Sequence, residues 1–316
     1  MKKYDVLVIG ELNVDLILNN IEAFPRIGTE RLAQDMQLVM GSSSAIFACN
    51  LSILGPKVAF LGKIGNDEFG ELVMNTLETK SVSTEFIICS NQFKTGATIV
   101  LNYGEDRAMI THPGAMEHLT IEDITPEILD LCSHIHISSV FLQPGIHHNL
   151  PEILKLAKSM NITTSLDTQW DPLEKWDLNL KELLPMVDVF LPNIQEFLAL
   201  TKSEDIQKAV EAVKVNSNII AVKMGNKGSL GLFKGKSFMA NPFLNKEVVD
   251  AIGAGDSFNA GFIFKYLQNV ALIECLQFGN LAGAINTTAP GGTAAFESYN
   301  KVKDIARKRF NFQIDK

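Results

Sequence analysis

The sequence predicts an α/β fold in which a mostly parallel central sheet lies between two layers of helices, with a small β-rich lid beside it. Continuous apolar runs of strand length alternate along the chain with stretches that carry apolar residues at three- and four-residue spacing. Strands that alternate with helices form crossover units, and these units build parallel sheets. Two segments, 14–40 and 93–112, lack a clear helical period and predict the lid.

The predicted strands are short apolar runs, a pattern typical of strands covered on both faces. In chain order they are YDVLVIG (4–10), KVAFLG (57–62), HIHIS (134–138), ITTSLD (162–167), VDVFLP (187–192) and NIIAVK (218–223). The predicted helices include SSSAIFACNLSIL (42–54), DEFGELVMNTLETK (67–80), LPEILKLAKSM (150–160) and IQEFLALT (194–201). Within the lid, TGATIVLNYGEDRAMITHPG predicts a hairpin that turns at GED. We expect one domain over residues 1–316.

Composition limits the classes of partner. Hydrophobic residues make up 46% of the chain and charged residues 20%, as in ordinary globular proteins. The 28 basic residues stand against 36 acidic ones, which gives a formal net charge of -8 and argues against a nucleic-acid partner. No apolar stretch has the length of a membrane span, and the first residues do not resemble a signal peptide. We therefore expect a cytoplasmic protein that binds neither membranes nor nucleic acid.

The stretch DAIGAGDSF (250–258) carries the most specific chemistry in the sequence. Three small residues, Gly253, Ala254 and Gly255, precede a predicted helix, whose unpaired backbone N–H groups and positive dipole end attract an anion. Asp256 would repel that anion unless its carboxylate has a proton to collect, as a base that activates a hydroxyl group does. The alternative is that Asp256 only caps the helix.

Five motifs together resemble the ribokinase-like sugar kinases of the phosphofructokinase B (pfkB) type, over nearly the whole chain. They are GELNVDL (10–16), FLGKIGNDEFG (60–70), LPNIQEF (191–197), VKMGNKG (222–228) and DAIGAGDSF, which has Ala251 where threonine is usual. The resemblance implies the ribokinase-like fold and an ATP-dependent phosphotransferase that acts on a sugar hydroxyl.

The same resemblance implies roles for individual residues. Asp256 would be the catalytic base, and the turn from Gly253 to Gly255 would be the anion hole. Glu196, with Asn193, would position Mg²⁺ through water, and Asp250 would help to hold a monovalent cation such as K⁺. The residues implied at the nucleotide are Lys223, Gly225, Gly228 and Asn280.

The expected substrate contacts lie at the ends of strands and in the lid. Asn13 and Asp15, at i and i+2, can face one pocket, where a carboxylate accepts hydrogen bonds from sugar hydroxyls; the alternative is an ordinary turn after the first strand. The further candidates are Gly41, Ser42, Arg107, Gln143 and Asp167. The region after Gly41 departs from the family pattern, because Ser42 replaces a glycine and Ile46 stands where a sugar-binding asparagine is usual.

We expect a small neutral sugar, fructose-like or ribose-like, as the phosphate acceptor. A sugar acid such as 2-keto-3-deoxygluconate would need a fixed cation, and only Arg107 is a candidate; a nucleoside would need an aromatic platform, for which Phe47 and Trp170 are candidates. From other classes, a catalytically silent sugar- or nucleotide-binding regulator is disfavoured by the intact GAGD, and a nicotinamide oxidoreductase by the absence of an early GxGxxG. The family also suggests a homodimer formed through the lid.

Overall fold

The computed structural model describes residues 2–103, 106–214 and 217–314, and of residues 106 and 107 it describes only the backbone. The strands of this part of the chain are β1 (Tyr4–Ile9), β2 (Asn13–Asn19), β3 (Asp35–Met40), β4 (Val58–Gly65), β5 (Ser83–Ser90), β6 (Gly96–Tyr103), β7 (Asp106–His112), β8 (Cys132–Ser138), β9 (Thr163–Asp167), β10 (Val189–Phe190), β11 (Ile219–Lys223), β12 (Ser229–Phe233) and β13 (Lys236–Ala240). The helices are α1 (Ser43–Leu54), α2 (Glu68–Thr79), α3 (Pro126–Leu129), α4 (Pro144–Ser159), α5 (Leu180–Leu183), α6 (Ile194–Thr201), α7 (Ile206–Val213), α8 (Ala254–Leu267), α9 (Leu272–Asn286) and α10 (Tyr299–Phe310).

Among the described residues, nine strands form the main sheet in the order β13-β12-β11-β10-β9-β8-β1-β4-β5. All neighbours from β11 to β5 run parallel, and only β12 and β13 pair antiparallel at one end. The carboxyl ends of the parallel strands therefore meet at one edge of the sheet. This arrangement confirms the predicted α/β fold with a mostly parallel sheet.

Both faces of the main sheet are covered, which explains why its strands read as continuous apolar runs. Leu7 and Ile9 of β1 pack into a core with α4 and α6, whereas Val6 and Val8, which point the other way, pack with α1 and α8. The result is a three-layer structure. None of the helices in the described ranges is long and apolar enough to span a membrane.

A separate small sheet has the order β3-β2-β6-β7 and contains the two segments predicted as the lid. Its strands alternate between two rows of side chains, as the strand period of two requires. One row is apolar and consists of Leu38, Leu16, Ile99 and Ile110, which lie opposite one another in register. The neighbouring row on the other face is largely polar and consists of Val39, Asp15, Thr98 and Thr111. The predicted GED turn falls on residues 104 and 105, outside the described residues, and on Asp106, where β7 begins.

Two histidines lie in the core of the main sheet. His134 and His136 in β8 are fully buried, and both form a hydrogen bond with the Ser165 hydroxyl, at 2.7 and 2.8 Å. His136 also stacks on Phe47, with 3.7 Å between ring centroids. Burial lowers the pKa of each imidazole to about 3, so both are neutral near pH 7. Their contacts are those of core residues that help to pack the main sheet.

Candidate active site

Helix α8 begins at the carboxyl edge of the main sheet, directly after a turn of small residues. Gly253 caps the helix with a φ of 75°, and a Cβ atom at this position would lie 2.6 Å from Gly292 Cα. Glycine is therefore required here on both conformational and steric grounds. Gly255 is exposed in the first turn of α8, whereas the backbone N–H of Ala254 donates to the Ala251 carbonyl at 3.3 Å. Such a helix start can bind phosphate oxygens.

Asp256 lies in the first turn of α8 and is 7% exposed. Its pKa is raised to about 8, first by burial and then by the negative charge of Asp167. Glu11 raises this pKa as well, whereas Lys223 and a hydrogen bond from Gln169 lower it. A carboxylate with a pKa near the working pH can accept a proton efficiently, as a general base must.

Asp167, the last residue of β9, is the centre of a buried hydrogen-bond network. Its Oδ2 atom accepts hydrogen bonds from Lys223 Nζ at 2.7 Å, Asn259 Nδ2 at 2.5 Å and Gln169 Nε2 at 2.9 Å. Gln169 Nε2 also donates to Asp256 Oδ1 at 2.9 Å. The ends of β9 and β11 and the first turn of α8 are thus joined through one carboxylate.

Asn193 and Glu196 form a reciprocal cap at the start of α6. The Asn193 side-chain oxygen accepts from the backbone N–H of Glu196 at 2.9 Å, and Glu196 Oε2 accepts from the backbone N–H of Asn193 at 2.8 Å. The pKa of Glu196 is raised to about 7, mainly by burial and then by Asp167, against the opposing effect of Lys223. The cap thus holds a buried carboxylate next to the Asp167 network.

A cleft of about 260 Å³ lies beside the start of α8. Lys223 and the glycine turn that follows β11 form one wall, and a side chain at Gly255 would come within 3.8 Å of Lys223 Nζ. Other lining residues are Gly225, Gly228, Phe243, Ala251, Phe258 and Asn280. The four residues expected at the nucleotide therefore share one cleft with the anion-binding turn.

Asp250 connects the segment before α8 to the glycine turn that follows α9. Its Oδ1 atom accepts from the backbone N–H of Ile252 at 2.9 Å, and its Oδ2 atom accepts from the backbone N–H of Gly291 at 2.8 Å. The carboxylate therefore fixes two loops that border the cleft region, at the position expected for a monovalent cation.

Asn13 and Asp15 extend from the start of β2, where the small sheet meets the main one. Asn13 Nδ2 donates to Asp15 Oδ1 at 3.0 Å and to Thr98 Oγ1 at 3.1 Å. A Cβ atom at Gly41 would lie 2.2 Å from Asp15 Oδ1, so this glycine makes room for the Asp15 carboxylate. The predicted sugar contacts Asn13, Asp15 and Gly41 therefore lie together.

Other expected substrate contacts are already engaged. Gln143 is fully buried and donates from Nε2 to the Ser138 carbonyl at 2.9 Å. Asp167 is also fully buried, and a direct contact with substrate would require its existing hydrogen bonds to break. The Ser42 hydroxyl donates to the Glu11 carbonyl at 2.6 Å and accepts from the backbone N–H of Ala45.

Two further sequence candidates differ in their surroundings from what the pattern suggested. Ile46 is buried and packs against the glycine turns, since a Cβ at Gly292 would lie 2.3 Å from its Cδ1. Phe47 is fully buried against His136 and offers no platform to a base. The backbone of Arg107, in β7, pairs with Asn102 of β6, and the Arg107 side chain lies outside the described part of the structure.

The structure adds residues that were not among the main sequence candidates. Gln169 bridges two carboxylates, and Asn259 lies one helical turn after Asp256, a spacing that puts both on one face of α8. Glu11, directly after Gly10, is 2% exposed and accepts hydrogen bonds from the Ser44 backbone and hydroxyl. For Asn259, the only signal in the sequence was its i, i+3 spacing from Asp256. For Glu11, the only signal was an acidic residue directly after the first apolar strand.

Comparisons with known proteins cover nearly the whole chain. The sequence profile of the pfkB family of carbohydrate kinases matches residues 3–298. An uncharacterized sugar kinase of Archaeoglobus fulgidus is 30% identical over 74% of this chain and 92% of its own. A ribokinase of Haemophilus influenzae is 28% identical over 91% of this chain and 94% of its own. A 5-dehydro-2-deoxygluconokinase of Lacticaseibacillus casei is 26% identical over 97% of each chain.

Solved structures show the same fold. An Arabidopsis thaliana ribokinase with ribose and ATP superposes with a TM-score of 0.81 at 24% identity, over 96% of this chain and 98% of its own. A candidate ribokinase II of E. coli with ATP and Mg²⁺ gives a TM-score of 0.82 at 22% identity, over 96% and 99%. An adenosine kinase of Sinorhizobium meliloti gives 0.81 at 24% identity, over 93% and 98%. The ribokinase-like fold is thereby confirmed.

Proposed function

Because the chain belongs to the pfkB family of carbohydrate kinases, and is thus a phosphotransferase with an alcohol group as acceptor, we propose that it transfers the γ-phosphate of ATP to a hydroxyl of a small neutral sugar. The observation that carries this proposal is the buried Asp256 carboxylate, with a pKa of about 8, in the first turn of a helix next to the exposed Gly255. A base and an anion site next to each other are what phosphoryl transfer to a hydroxyl needs.

In this reaction Asp256 takes the proton of the attacking hydroxyl. The hydroxyl oxygen forms a bond to the γ-phosphorus, and the bond from that phosphorus to the β,γ-bridging oxygen breaks, which leaves a sugar phosphate and ADP. The backbone N–H groups after Gly253 would stabilise the charge that develops on the phosphoryl oxygens, because preorganised donors strengthen as that charge grows. The proton on Asp256 then passes to solvent.

The cleft beside α8 is the proposed ATP site. It is lined by Lys223, Gly225, Gly228 and Asn280, and it opens onto the anion-binding turn, so the phosphates and the base would meet at one point. The ATP in the two ribokinase-like structures named above supports this assignment. Since the net charge of -8 gives no general attraction for ATP, local groups must provide it.

The residues near the cleft fit a magnesium ion held through water. Asn193 and Glu196 present oxygen atoms, the ligand type that Mg²⁺ prefers, and Mg²⁺ usually combines one or two carboxylates with waters and phosphates. Three buried acidic groups, Asp167, Glu196 and Asp256, act on the charge of Lys223, and a bound divalent cation would favour their ionised forms. When bound, Mg²⁺ neutralises charge on the transferring and leaving phosphates. Full activity in excess chelator would contradict this proposal.

We also propose a monovalent cation, such as K⁺, near Asp250. The support is its carboxylate, which joins the loop before α8 to Gly291. We expect activity to rise with K⁺ but not with a bulky organic cation. Equal activity with both cations would contradict the monovalent-cation proposal but not the kinase proposal.

The proposed acceptor is fructose-like or ribose-like, bound between Asn13, Asp15 and the polar row of the small sheet. These are neutral or negative groups suited to hydroxyls, and Asp15 would repel a nearby substrate carboxylate. The burial of Phe47 leaves Trp170, which is 48% exposed, as the remaining platform suggested for a nucleoside base. Sugar acids and nucleosides are therefore the alternatives to be tested.

The test measures ADP release with fructose, ribose, 2-keto-3-deoxygluconate and adenosine under identical Mg²⁺ and K⁺. We expect kcat/KM for a neutral sugar to exceed the others. A preference of more than about tenfold for the acid or the nucleoside, which is about 1.4 kcal/mol in transition-state binding, would contradict the substrate assignment but not the kinase assignment. ATP binding without any ADP release would favour the silent regulator.

We further propose that residues 1–316 act as one cytoplasmic domain in which the small sheet is a lid, and that two copies pair through that lid. The support for pairing is the apolar row of the small sheet, in which Leu38 and Ile99 are each 40% exposed and Ile110 is 66% exposed. An exposed apolar sheet face of this kind is commonly covered by a partner.

A further inference from the structure

Asp167, the buried last residue of β9, and the half-buried Gln169 two residues later contact the proposed base, and Asp167 also contacts the proposed nucleotide lysine. Asp167 is fully buried, and its Oδ2 atom accepts three hydrogen bonds. Neither side chain needs to touch a substrate to affect the reaction, because each is bonded directly to a group that does so in the proposed function.

The Gln169 side chain has a defined direction. Its amide nitrogen donates to Asp167 Oδ2 and to Asp256 Oδ1, each at 2.9 Å, so both N–H bonds point at carboxylates. Rotating the amide by half a turn would set its oxygen against two negative groups. The orientation of the Asp256 carboxylate is therefore fixed through Oδ1, and within the described residues no hydrogen bond engages Oδ2.

Lys223 is held by the same carboxylate. Its ammonium group donates to Asp167 Oδ2 at 2.7 Å and to Asn259 Oδ1 at 3.3 Å, and its side chain is 11% exposed. The position that a side chain at Gly255 would occupy is 3.8 Å from Nζ. The ammonium group thus lies next to the anion-binding turn, where a phosphoryl group would sit.

We propose that Asp167 and Gln169 are positioning residues: Gln169 orients the Asp256 carboxylate so that Oδ2 receives the hydroxyl proton, and Asp167 holds Gln169 and Lys223 in place. This inference rests on the proposed function. It assigns to both residues an indirect role in place of the direct substrate contact expected of Asp167 from the sequence.

The two residues have opposite effects on the basicity of Asp256. The charged groups that face Asp256 are Asp167 from β9, Lys223 from β11 and Glu11 from the end of β1; Glu196 of α6 is in turn coupled to Asp167 and Lys223. The charge of Asp167 raises the pKa of Asp256, and the hydrogen bond from Gln169 lowers it. Asp167→Asn should therefore move the acidic limb of kcat/KM to lower pH, and Gln169→Leu should move it to higher pH.

The experiment compares pH profiles of kcat/KM and values of kcat for the parent, Asp167→Asn, Gln169→Leu and a control, Asp188→Asn. Asp188 holds the opposite end of β9 through the backbone N–H of Thr164 at 2.8 Å, so its loss perturbs the same strand without changing charge at the site. We expect kcat to fall about 10²-fold in both test variants, as for a small misplacement of reacting groups, with limbs displaced in opposite directions. The control should keep the parent limb.

Two results would overturn the inference. One is a folded Asp167→Asn protein with the parent limb and with kcat within about threefold of the parent value. If the melting curve shows that Asp167→Asn does not fold, the test rests on Gln169→Leu. The inference is then overturned if Gln169→Leu keeps the acidic limb and the kcat of the parent. A parent protein that releases no ADP with any acceptor would instead refute the proposed function, and this inference with it.

Discussion

The two sheets of this molecule differ in where their polar side chains lie and in how those side chains are hydrogen-bonded. The main sheet is buried on both faces, and its polar side chains gather at one edge, where Asp167 alone accepts three hydrogen bonds. The small sheet has one exposed apolar face, and on its other face Asn13 Nδ2 donates to Asp15 and Thr98, while the hydroxyls of Thr98 and Thr111 are bonded at 3.0 Å. The hydrogen bonds at the main-sheet edge thus converge on one buried carboxylate oxygen, whereas those of the small sheet are spread over several polar side chains.

This difference suggests how one fold can serve several acceptors. A change at the main-sheet edge leaves buried charges without partners, which is costly, so the chemistry resists variation. A change in the small sheet removes one hydrogen bond of about 1 kcal/mol and leaves the base in place. The following predictions test that contrast, from the largest expected effect to the smallest.

Asp256→Asn should lower kcat by about 10²- to 10⁴-fold, because the amide keeps the shape of the side chain but cannot accept the hydroxyl proton. Nucleotide affinity, measured by calorimetry, should change little. Asp171→Asn is a matched control, since Asp171 is also a buried carboxylate but accepts from the backbone N–H groups of Leu173 and Trp176. An Asp256→Asn protein that turns over at the parent rate would show that this carboxylate is not the base, since Gly253 rather than Asp256 caps α8.

Glu196→Gln should raise the Mg²⁺ concentration needed for half-maximal activity by roughly 10- to 100-fold, because the buried carboxylate that we propose to orient metal-bound water is replaced by a neutral amide. Titration of activity with Mg²⁺ at saturating ATP measures this. Glu204→Gln, at an exposed carboxylate that pairs with Lys208, should behave as the parent. If both variants require the same Mg²⁺ concentration, Glu196 does not contribute to the proposed metal site.

Thr98→Val should raise KM for the preferred sugar by roughly 2- to 10-fold and leave kcat unchanged, because Asn13 loses one hydrogen-bond partner while the base is untouched. Steady-state kinetics with varied sugar separate the two constants. Thr84→Val in β5, whose hydroxyl bonds to Glu78, is the control. A large fall in kcat would contradict the separation between the two sheets.

Leu38→Glu should convert the proposed dimer into monomers while kcat changes least of all these variants. A buried charge in an apolar interface is unfavourable, and light scattering at several concentrations detects the change in mass. Met239→Glu, at an exposed position of the main sheet, should leave the mass unchanged. A parent protein that is already monomeric at all concentrations would refute the dimer.

The sequence allowed much of the main sheet to be predicted. β1, β4, β8, β9 and β11 lie within a few residues of the predicted runs, because buried parallel strands leave an apolar signature. β5, by contrast, was missed, since its residues are mostly half-buried at an edge, and so were β12 and β13, which pair antiparallel. The resemblance to the pfkB family, carried by motifs that follow the strand ends, is confirmed.

The site was predicted only in part, for a physical reason. Asp256, Asn193 and Lys223 were recognised from local motifs, because each lies at a helix start or strand end with a distinctive neighbour. The partners of Asp167 come from three separate elements, and only folding brings Gln169 and Asn259 to the same carboxylate oxygen. The sequence likewise suggested Ser42 as a pocket residue, yet its hydroxyl donates to the Glu11 carbonyl and accepts from the Ala45 N–H at the start of α1.

The buried histidine pair in β8 makes this fold sensitive to acid. An unfolded imidazole binds a proton below pH about 6.5, whereas His134 and His136 stay neutral in the folded protein until pH about 3. Between these values the unfolded chain binds more protons, so stability is present above the upper value and is lost progressively as pH falls, by about 1 kcal/mol or more per pH unit for each histidine. The raised pKa values of Asp256 and Glu196 act in the opposite direction, because the folded protein binds those protons first. The contribution of one histidine is therefore measured by difference: the urea midpoint of a His134→Gln variant should rise relative to that of the parent as pH falls through this window. In this molecule the buried imidazoles of the main sheet and the buried carboxylates at its edge therefore respond to acid in opposite directions.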